Sequence, residues 1–253
     1  MHNVVREPVS VCMALYNGEK YIKEQIDSIL LQLNNEEDEL IIVDDYSKDN
    51  SIDIVKLYHH LNIHIYKNDS NLGYIKTFER AINISKNPIV FLSDQDDIWI
   101  QGRLQKMYDR LKEKDNWLLC SNFNTFNEEG KEILRFKTKL AHNETGENYN
   151  KNIKEIFKGN IAYFGCTMAF KSEIKKYILP FPDYIDAHDL WIAMLGNVMK
   201  KIIHLEDVTL LHRIHKKNTS FVKRKFYKKI YTRFLFFKTW LEANKRKYTT
   251  TNT

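Results

Sequence analysis

Residues 88–99, Pro-Ile-Val-Phe-Leu-Ser-Asp-Gln-Asp-Asp-Ile-Trp, set three carboxylates directly behind four apolar side chains. Ile89 to Leu92 read as a short buried strand, with Pro88 at its entrance, where a missing N–H costs least. Asp94, Asp96 and Asp97 repel one another and make poor core material. In an extended segment Asp94 and Asp96 project to the same side, so together they can chelate a hard divalent cation such as Mg2+ or Mn2+. The plainer alternative is a polar loop whose aspartates cap a helix at about 100–114.

Two more polar clusters follow apolar runs. Val9–Leu15 leads into Tyr16-Asn17-Gly18, and Glu39-Leu-Ile-Ile-Val ends at Asp44-Asp45. In an open parallel sheet, ligands sit in the crevice at the carboxyl ends of the strands. One such cluster is as easily turn chemistry; three at three strand ends point to a ligand. A tyrosine and a carboxylate suit a nucleoside: Tyr16 can cover a base, and an aspartate can accept from a ring N–H or a ribose hydroxyl. The glycines form neither a P-loop nor GxGxxG, so a diphosphate needs another counter-charge, which a cation on Asp94 and Asp96 would supply.

The elements that must position these residues alternate in type. Strands at 9–15, 39–45, 62–67 and 89–92 are separated by helical stretches at about 19–33, 51–61 and 75–85, the last entered by Asn71-Leu72-Gly73 and ended by Asn87-Pro88. Repeated β-α-β units imply an α/β fold with a doubly wound, mostly parallel sheet flanked by helices. Beyond residue 116 the pattern shifts to strands at 117–123 and 161–170, a short second strand near 127–136, a polar irregular loop at 135–152, a helix opening near Asp189, and a last strand at 201–210. With no internal repeat and no low-complexity linker, one continuous domain is expected, followed by a tail.

Composition narrows the function classes. Three well-separated cysteines, Cys12, Cys120 and Cys166, offer no metal-ligand spacing and read as buried thiols of a reducing compartment. Neither a signal-peptide pattern nor an apolar run of membrane-spanning length is present, so a cytoplasmic chain is expected. The net charge of +6 is uneven: residues 216–248 hold 12 Lys/Arg against the single acidic Glu242, which leaves the preceding body acidic. That distribution argues against a general nucleic-acid binder.

These stretches carry a family resemblance. VSVCMALYNGEKYIKEQIDSIL, IIVDDYSKDNS, NLGYIKTFERAI and FLSDQDDIW occur in the order found in glycosyltransferase family 2, whose members are inverting, nucleotide-sugar-dependent enzymes of the GT-A fold. DQDDIW, HDLWIAML and LLHRIHKKNTS look most like its rhamnosyltransferase-like branch. The resemblance covers about residues 8–220. It implies a GT-A domain over 1–220, with a nucleotide-binding half at about 1–115 and an acceptor half at about 116–220, and a basic amphipathic helical tail at 221–253. By position, it implies that Asp45 contacts the base, with Ala14, Tyr16, Asn17 and Asp44 beside it, and that Asp94, Gln95 and Asp96 complete the donor site. Asp94, Asp96 and His215 become the metal ligands and Asp189 the catalytic base. The implied partners are a dTDP- or UDP-sugar donor and a glycan or lipid-linked glycan acceptor in cell-surface polysaccharide or capsule synthesis; no nucleic acid is implied.

Two departures stand out. Many members carry Arg-Asn where this chain has Phe78-Glu79, and Glu-Asp where it has His188-Asp189. Lys76, Arg80 or Arg103 are candidates to replace the arginine. His188 and His212 read more readily as structural histidines than as ligands, Trp191 as core, and Trp99 as either core or a sugar platform. Asp189 also reads as a helix N-cap. A nucleotidyltransferase and a non-catalytic nucleotide-sugar module are the alternatives. The first expects a glycine-rich basic loop after the first strand, and Tyr16-Asn17-Gly18-Glu19 is not one. In the tail, Tyr227, Ile230, Tyr231, Phe234, Leu235, Phe237 and Leu241 follow helical spacing among Lys225, Lys228, Lys229 and Arg233. Such a helix suits either the inner face of an anionic membrane or packing on the domain.

Overall fold

The apolar runs form the strands that their β-branched content predicts, and their alternation feeds two cores. In this computed structural model, which describes residues 6–60, 62–113, 115–133, 140–161, 163–215 and 226–249, the first half is β1 (Val9–Leu15), α1 (Ile22–Leu30), β2 (Glu39–Asp44), α2 (Ser51–Lys56), β3 (Ile63–Lys67), α3 (Tyr74–Ile84) and β4 (Ile89–Ser93). Val9, Val11, Met13 and Leu15 of β1 face one core, shared with α1 and the later helix α4 (Arg103–Lys112). Cys12 faces the other, shared with α3 and the helices of the second half. Both faces of β1 are therefore buried, as befits a central parallel strand.

The second half comprises β5 (Ile98–Trp99), β6 (Leu118–Asn127), α5 (His142–Thr145), α6 (Tyr149–Lys158), β7 (Met168–Lys171), α7 (Lys175–Ile178), α8 (His188–Val198), β8 (Ile202–Ile214) and α9 (Phe226–Thr249). All eight strands form one sheet in the order β3-β2-β1-β4-β7-β6-β8-β5. β1, β2, β3 and β4 are mutually parallel, β7 is antiparallel to β4 and β6, and β8 is parallel to β6. Two reversals in a row restore the original direction, so β6 and β8 run with β4. The carboxyl ends of β1, β2, β4 and β8 thus lie along one edge, which puts His215 on the same side as Asp94–Asp97.

Three expectations change. The described part of the 135–152 segment is not irregular: it contains α5 and the start of α6, while 134–139 lie outside the described residues. In the 161–170 run only Met168 onward is strand, because Gly165–Thr167 form a 3-10 turn. The last strand continues past residue 210 to Ile214.

Helix α8 is buried on nearly every side, because α6 and α9 cover the faces that the sheet leaves open. Trp191 at its centre is fully buried and donates from Nε1 to the Ile178 carbonyl at 2.9 Å, a core role. Trp99 is also core, packed on Phe91 and under the Arg103 guanidinium. All three cysteines are buried and free.

Candidate functional site

The β1–α1 turn is built by side chains that hold backbone. Gln95 grips the Tyr16 peptide from both directions, accepting from its N–H at 2.7 Å and donating to its carbonyl at 3.0 Å. A Cβ at Gly18 would lie 2.8 Å from the Gln95 side chain, so this clamp needs glycine there. Asn17, at φ +49°, accepts from the Lys48 amide at 2.8 Å. Ala14 lies at the end of β1, half-buried, and the Tyr16 ring is 46% exposed and open to a ligand.

The paired aspartates after β2 do different work. Asp44 is buried and accepts from the Ser47 amide, closing the turn. Asp45, 2% exposed, accepts from Asn68 Nδ2, the Leu72 amide and the Gly73 amide, each at 2.8 Å. Gly73 sits at φ +81°, which a side chain would strain. The Asn-Leu-Gly turn is therefore shaped around the Asp45 carboxylate. Arg80 donates to Asn68 Oδ1 at 2.7 Å, so it steadies Asp45 through Asn68. Three bonds occupy three of roughly four lone-pair sites on a carboxylate, leaving Asp45 room for one further donor.

At the end of β4 the acidic residues separate by role. Oδ2 of Asp96 lies 2.6 Å from Nε2 of His215, whose ring stacks on Tyr21 at 5.0 Å. Asp97 is fully buried in an ion pair with His212, 2.8 Å apart, and accepts from the Arg213 amide at 3.1 Å. Burial by itself would lower the His212 pKa, but Asp97, with Asp94 and Asp96 beyond, holds it up at about 9. Asp94 keeps part of its surface open to the cleft. Burial first, then Asp97 and Asp96, and Asp189 more weakly, push it up to about 8 against the pull of His212. Asp94 and Asp189 are thus near enough for their charges to oppose.

Asp94, Asp96 and His215 offer hard oxygen and imidazole donors on that edge, where Asp96 already lies 2.6 Å from His215. The residues fit a divalent metal. Atoms of Asp94, Asp97, Cys166 and His212 also lie within 4.8 Å of one another, but Asp97 and His212 already neutralise each other beneath the edge.

Asp189 is the second residue of α8; the N-cap is Ala187, which makes no side-chain cap bond, so the N-cap reading is corrected. Its Oδ1 accepts from the Leu190 amide at 2.7 Å, and it lies at the positive end of the helix. Helix α3 holds the approach to it. Tyr74 donates to the Asp186 carbonyl, Lys76 pairs with Asp183, and Glu79 accepts from the Phe181 amide.

His188 is caged. It stacks on Phe78 at 4.4 Å with Tyr74 and Phe181 around it, neither ring nitrogen has a hydrogen-bond partner among the described residues, and burial lowers its pKa to about 3. Phe78 is thus core. Arg103 is buried, bonded to Thr209 and the Cys166 carbonyl, and cannot reach a diphosphate on the edge.

A neutral caged histidine sets a sign for acid stability. The unfolded chain takes a proton near the ordinary histidine pKa while the fold refuses it, so stability is complete above about pH 6.5 and is lost as pH falls towards 3. Denaturant titrations should show the parent losing about 2 kcal/mol more than His188→Leu between about pH 7 and 5. Equal acid slopes would show that His188 is not held neutral.

Sequence reasoning missed Arg213. Its Nε donates to the Asp96 carbonyl at 3.0 Å, its guanidinium pairs with Glu24, and it lies over the rings of Tyr21 and Phe126. The signal was its spacing, two residues before His215 along a strand.

The chain resembles known proteins over most of its length. The model of glycosyl transferase family 2 matches residues 10–178. An uncharacterized glycosyltransferase of Methanocaldococcus jannaschii, MJ1057, is 32% identical over 213 residues, 81% of this chain and 70% of the relative. The O-antigen biosynthesis glycosyltransferase WbnJ of Escherichia coli is 26% identical, covering 85% of this chain and 83% of its own length. The dTDP-rhamnosyl transferase RfbG of Shigella flexneri is 28% identical, covering 81% and 72%. The chain spans only 59% and 41% of two other curated relatives. S. aureus TarS 1-349, solved in complex with UDP-GlcNAc, superposes with a TM-score of 0.69 at 20% identity, over 96% of this chain and 73% of that 1-349 chain, a likeness of fold. By the family model and by its likeness to MJ1057, this chain belongs to glycosyltransferase family 2 and has the GT-A fold.

Proposed function

We propose that the chain is a metal-dependent, inverting glycosyltransferase that moves a hexose from a dTDP- or UDP-sugar to a glycan or lipid-linked glycan hydroxyl, in cell-surface polysaccharide synthesis on the inner face of an anionic membrane. The observation that carries this reading is the Asp96–His215 contact of 2.6 Å at the end of β4, the strand end that also presents Asp94. The names of RfbG and WbnJ support the donor and the pathway class.

Each role follows from the chemistry of the side chain. Tyr16 covers the base, and Asp45 accepts from it with its remaining lone pair, while Ala14, Asn17, Asp44 and Gln95 hold the turns that frame the nucleoside. Asp94, Asp96 and His215 hold the metal. When bound, the metal neutralises the diphosphate, which improves it as a leaving group. Asp189 accepts the proton of the acceptor hydroxyl. The acceptor oxygen bonds to the anomeric carbon from the face opposite the diphosphate. The bond from that carbon to the diphosphate oxygen breaks, so the configuration inverts.

The test is a thermal-shift screen of UDP-, dTDP- and GDP-sugars with and without Mn2+. A donor at about 100 times its Kd should stabilise the fold by about 2.7 kcal/mol. Asp96→Ala should fold, since it relieves crowding among like charges, yet lose the metal-dependent part of that shift. An Asp96→Ala protein that keeps the full metal-dependent shift, or that does not fold, would refute the ligand role.

A further inference from the structure

Helix α9 packs Leu235, Phe236 and Trp240 on the domain yet leaves a second row of large apolar residues outside. Its docked face is made of Thr232, Leu235, Thr239 and Ala243, all buried. Its outer face carries Tyr231, Phe234, Phe237, Leu241 and Tyr248, between 48% and 64% exposed. With Lys245, also exposed, these residues recur every three or four positions, so they form one continuous stripe along the helix. Of the aromatics and leucines that the sequence reading grouped on one face, Leu235 alone turns inward among those whose side chains are described.

The stripe is held rigidly. Arg233 donates to the Lys158 carbonyl at 2.8 Å, Arg246 to the Tyr177 carbonyl at 2.9 Å, and Lys247 to the Val198 carbonyl at 3.2 Å. Phe236 meets Phe157 of α6 edge-on. Helix α9 is therefore fixed to the domain by its inner face, and rotation to bury the outer aromatics would break these anchors.

We infer that the outer face of α9 is a docking surface for an anionic lipid bilayer, with Tyr231, Phe234, Phe237 and Leu241 entering the headgroup boundary and Lys245, on the same stripe, meeting lipid phosphate within the positive field of the helix. Charge selects this occupant. Helix α9 itself carries seven Lys/Arg against the single Glu242, so a second copy would bring like charge against like. An apolar stripe between cations is what an interfacial helix presents to acidic lipid. Among the described residues no helix is long and apolar enough to cross a membrane, so this contact lies on the surface.

The placement bears on the proposed reaction and rests on that reading for its acceptor. Leu235, Phe236 and Thr239 of α9 line a small crevice with Ile185, Ala187, Leu190 and Trp191, residues that flank Asp189 in the chain. A bilayer held against α9 would keep a lipid-linked acceptor beside the helix that carries the base.

The test uses the full chain in vesicle flotation, with phosphatidylcholine alone and with phosphatidylcholine–phosphatidylglycerol mixtures. The parent is expected to float only with the acidic vesicles and to be released by high salt. A Phe234→Ser/Phe237→Ser/Leu241→Ser variant, altered only at exposed positions, should keep the parental melting temperature and donor-induced shift while its binding falls at least about tenfold. Unchanged flotation of this variant overturns the inference, as does a parent that binds neither vesicle. A parent that is dimeric in light scattering and becomes monomeric in the variant also overturns it, and assigns the stripe to a second copy. A parent with no donor-induced shift would sink the functional reading alone, because flotation decides the lipid contact independently.

Discussion

Replacing Asp189 by asparagine is expected to leave the fold and donor binding intact and to lower transfer at saturating donor and acceptor by at least about a hundredfold. The substitution keeps what structure asks of the side chain. An amide oxygen accepts from the Leu190 N–H as the carboxylate does, and Ala187, not Asp189, holds the N-cap. The loss of negative charge at the positive end of α8 costs about 0.3–1 kcal/mol, a small change in melting temperature. What asparagine cannot do is take a proton from a hydroxyl. If Asp189 only stabilises its helix, turnover should follow the melting curve and barely change; if it is the base, the two measurements part company. His188 cannot stand in for it, since burial in its aromatic cage lowers its pKa to about 3, which makes the imidazole a weak base, and keeps it away from an acceptor. An asparagine variant with near-parental turnover would require the base to come from another group on the cleft.

Much of this arrangement was written locally. Alternation of apolar and β-branched runs with helical stripes gave β1 to β4, and the polar residues at their ends sit together because parallel strands end on one side. The motifs read separately as Asp44-Asp45 and Asn71-Leu72-Gly73 turn out to be two halves of one object, since the Asp45 carboxylate binds the Leu72 and Gly73 amides. What could not be read was held by distant partners. His212 and Arg213 look like loop residues, yet they belong to β8, because Asp97 neutralises the histidine and accepts from the arginine amide. Gly165 interrupts an apolar run because a Cβ there would lie 2.5 Å from the His188 ring. Helix α6 was legible and missed. Tyr149, Ile153, Ile156 and Phe157 have helical spacing, but the asparagines and lysines between them disguised it as loop. The site followed the same pattern: its carboxylates and Gln95 were visible in the sequence, whereas the partners that aim the carboxylates, Asn68 on Asp45 and Arg213 on the Asp96 carbonyl, depend on which strand ends meet.

The two departures from the family pattern are a single departure in space. Phe78 stands where many relatives carry arginine and His188 where they carry glutamate, and the two rings stack at 4.4 Å with an interplanar angle of 23°. A neutral aromatic pair fills a place where one member alone, if charged, would be buried without a partner. Phe78→Arg alone should therefore destabilise the chain by about 3–5 kcal/mol, because its guanidinium would meet an imidazole that burial keeps neutral. His188→Glu alone should cost a comparable amount, its carboxylate facing Phe78, Phe181 and the close Gly165 backbone. Together the two charges can meet, so the double variant should recover about 2–3 kcal/mol relative to the sum of the single losses. Denaturant unfolding of the four proteins closes this cycle, and the coupling is read without any assay of transfer. Strict additivity would mean that the stacked rings are neighbours by chance and that the two positions diverged from the family separately. A coupling of the expected size would mean that arginine cannot be restored at position 78 in this chain without also changing the residue that precedes Asp189.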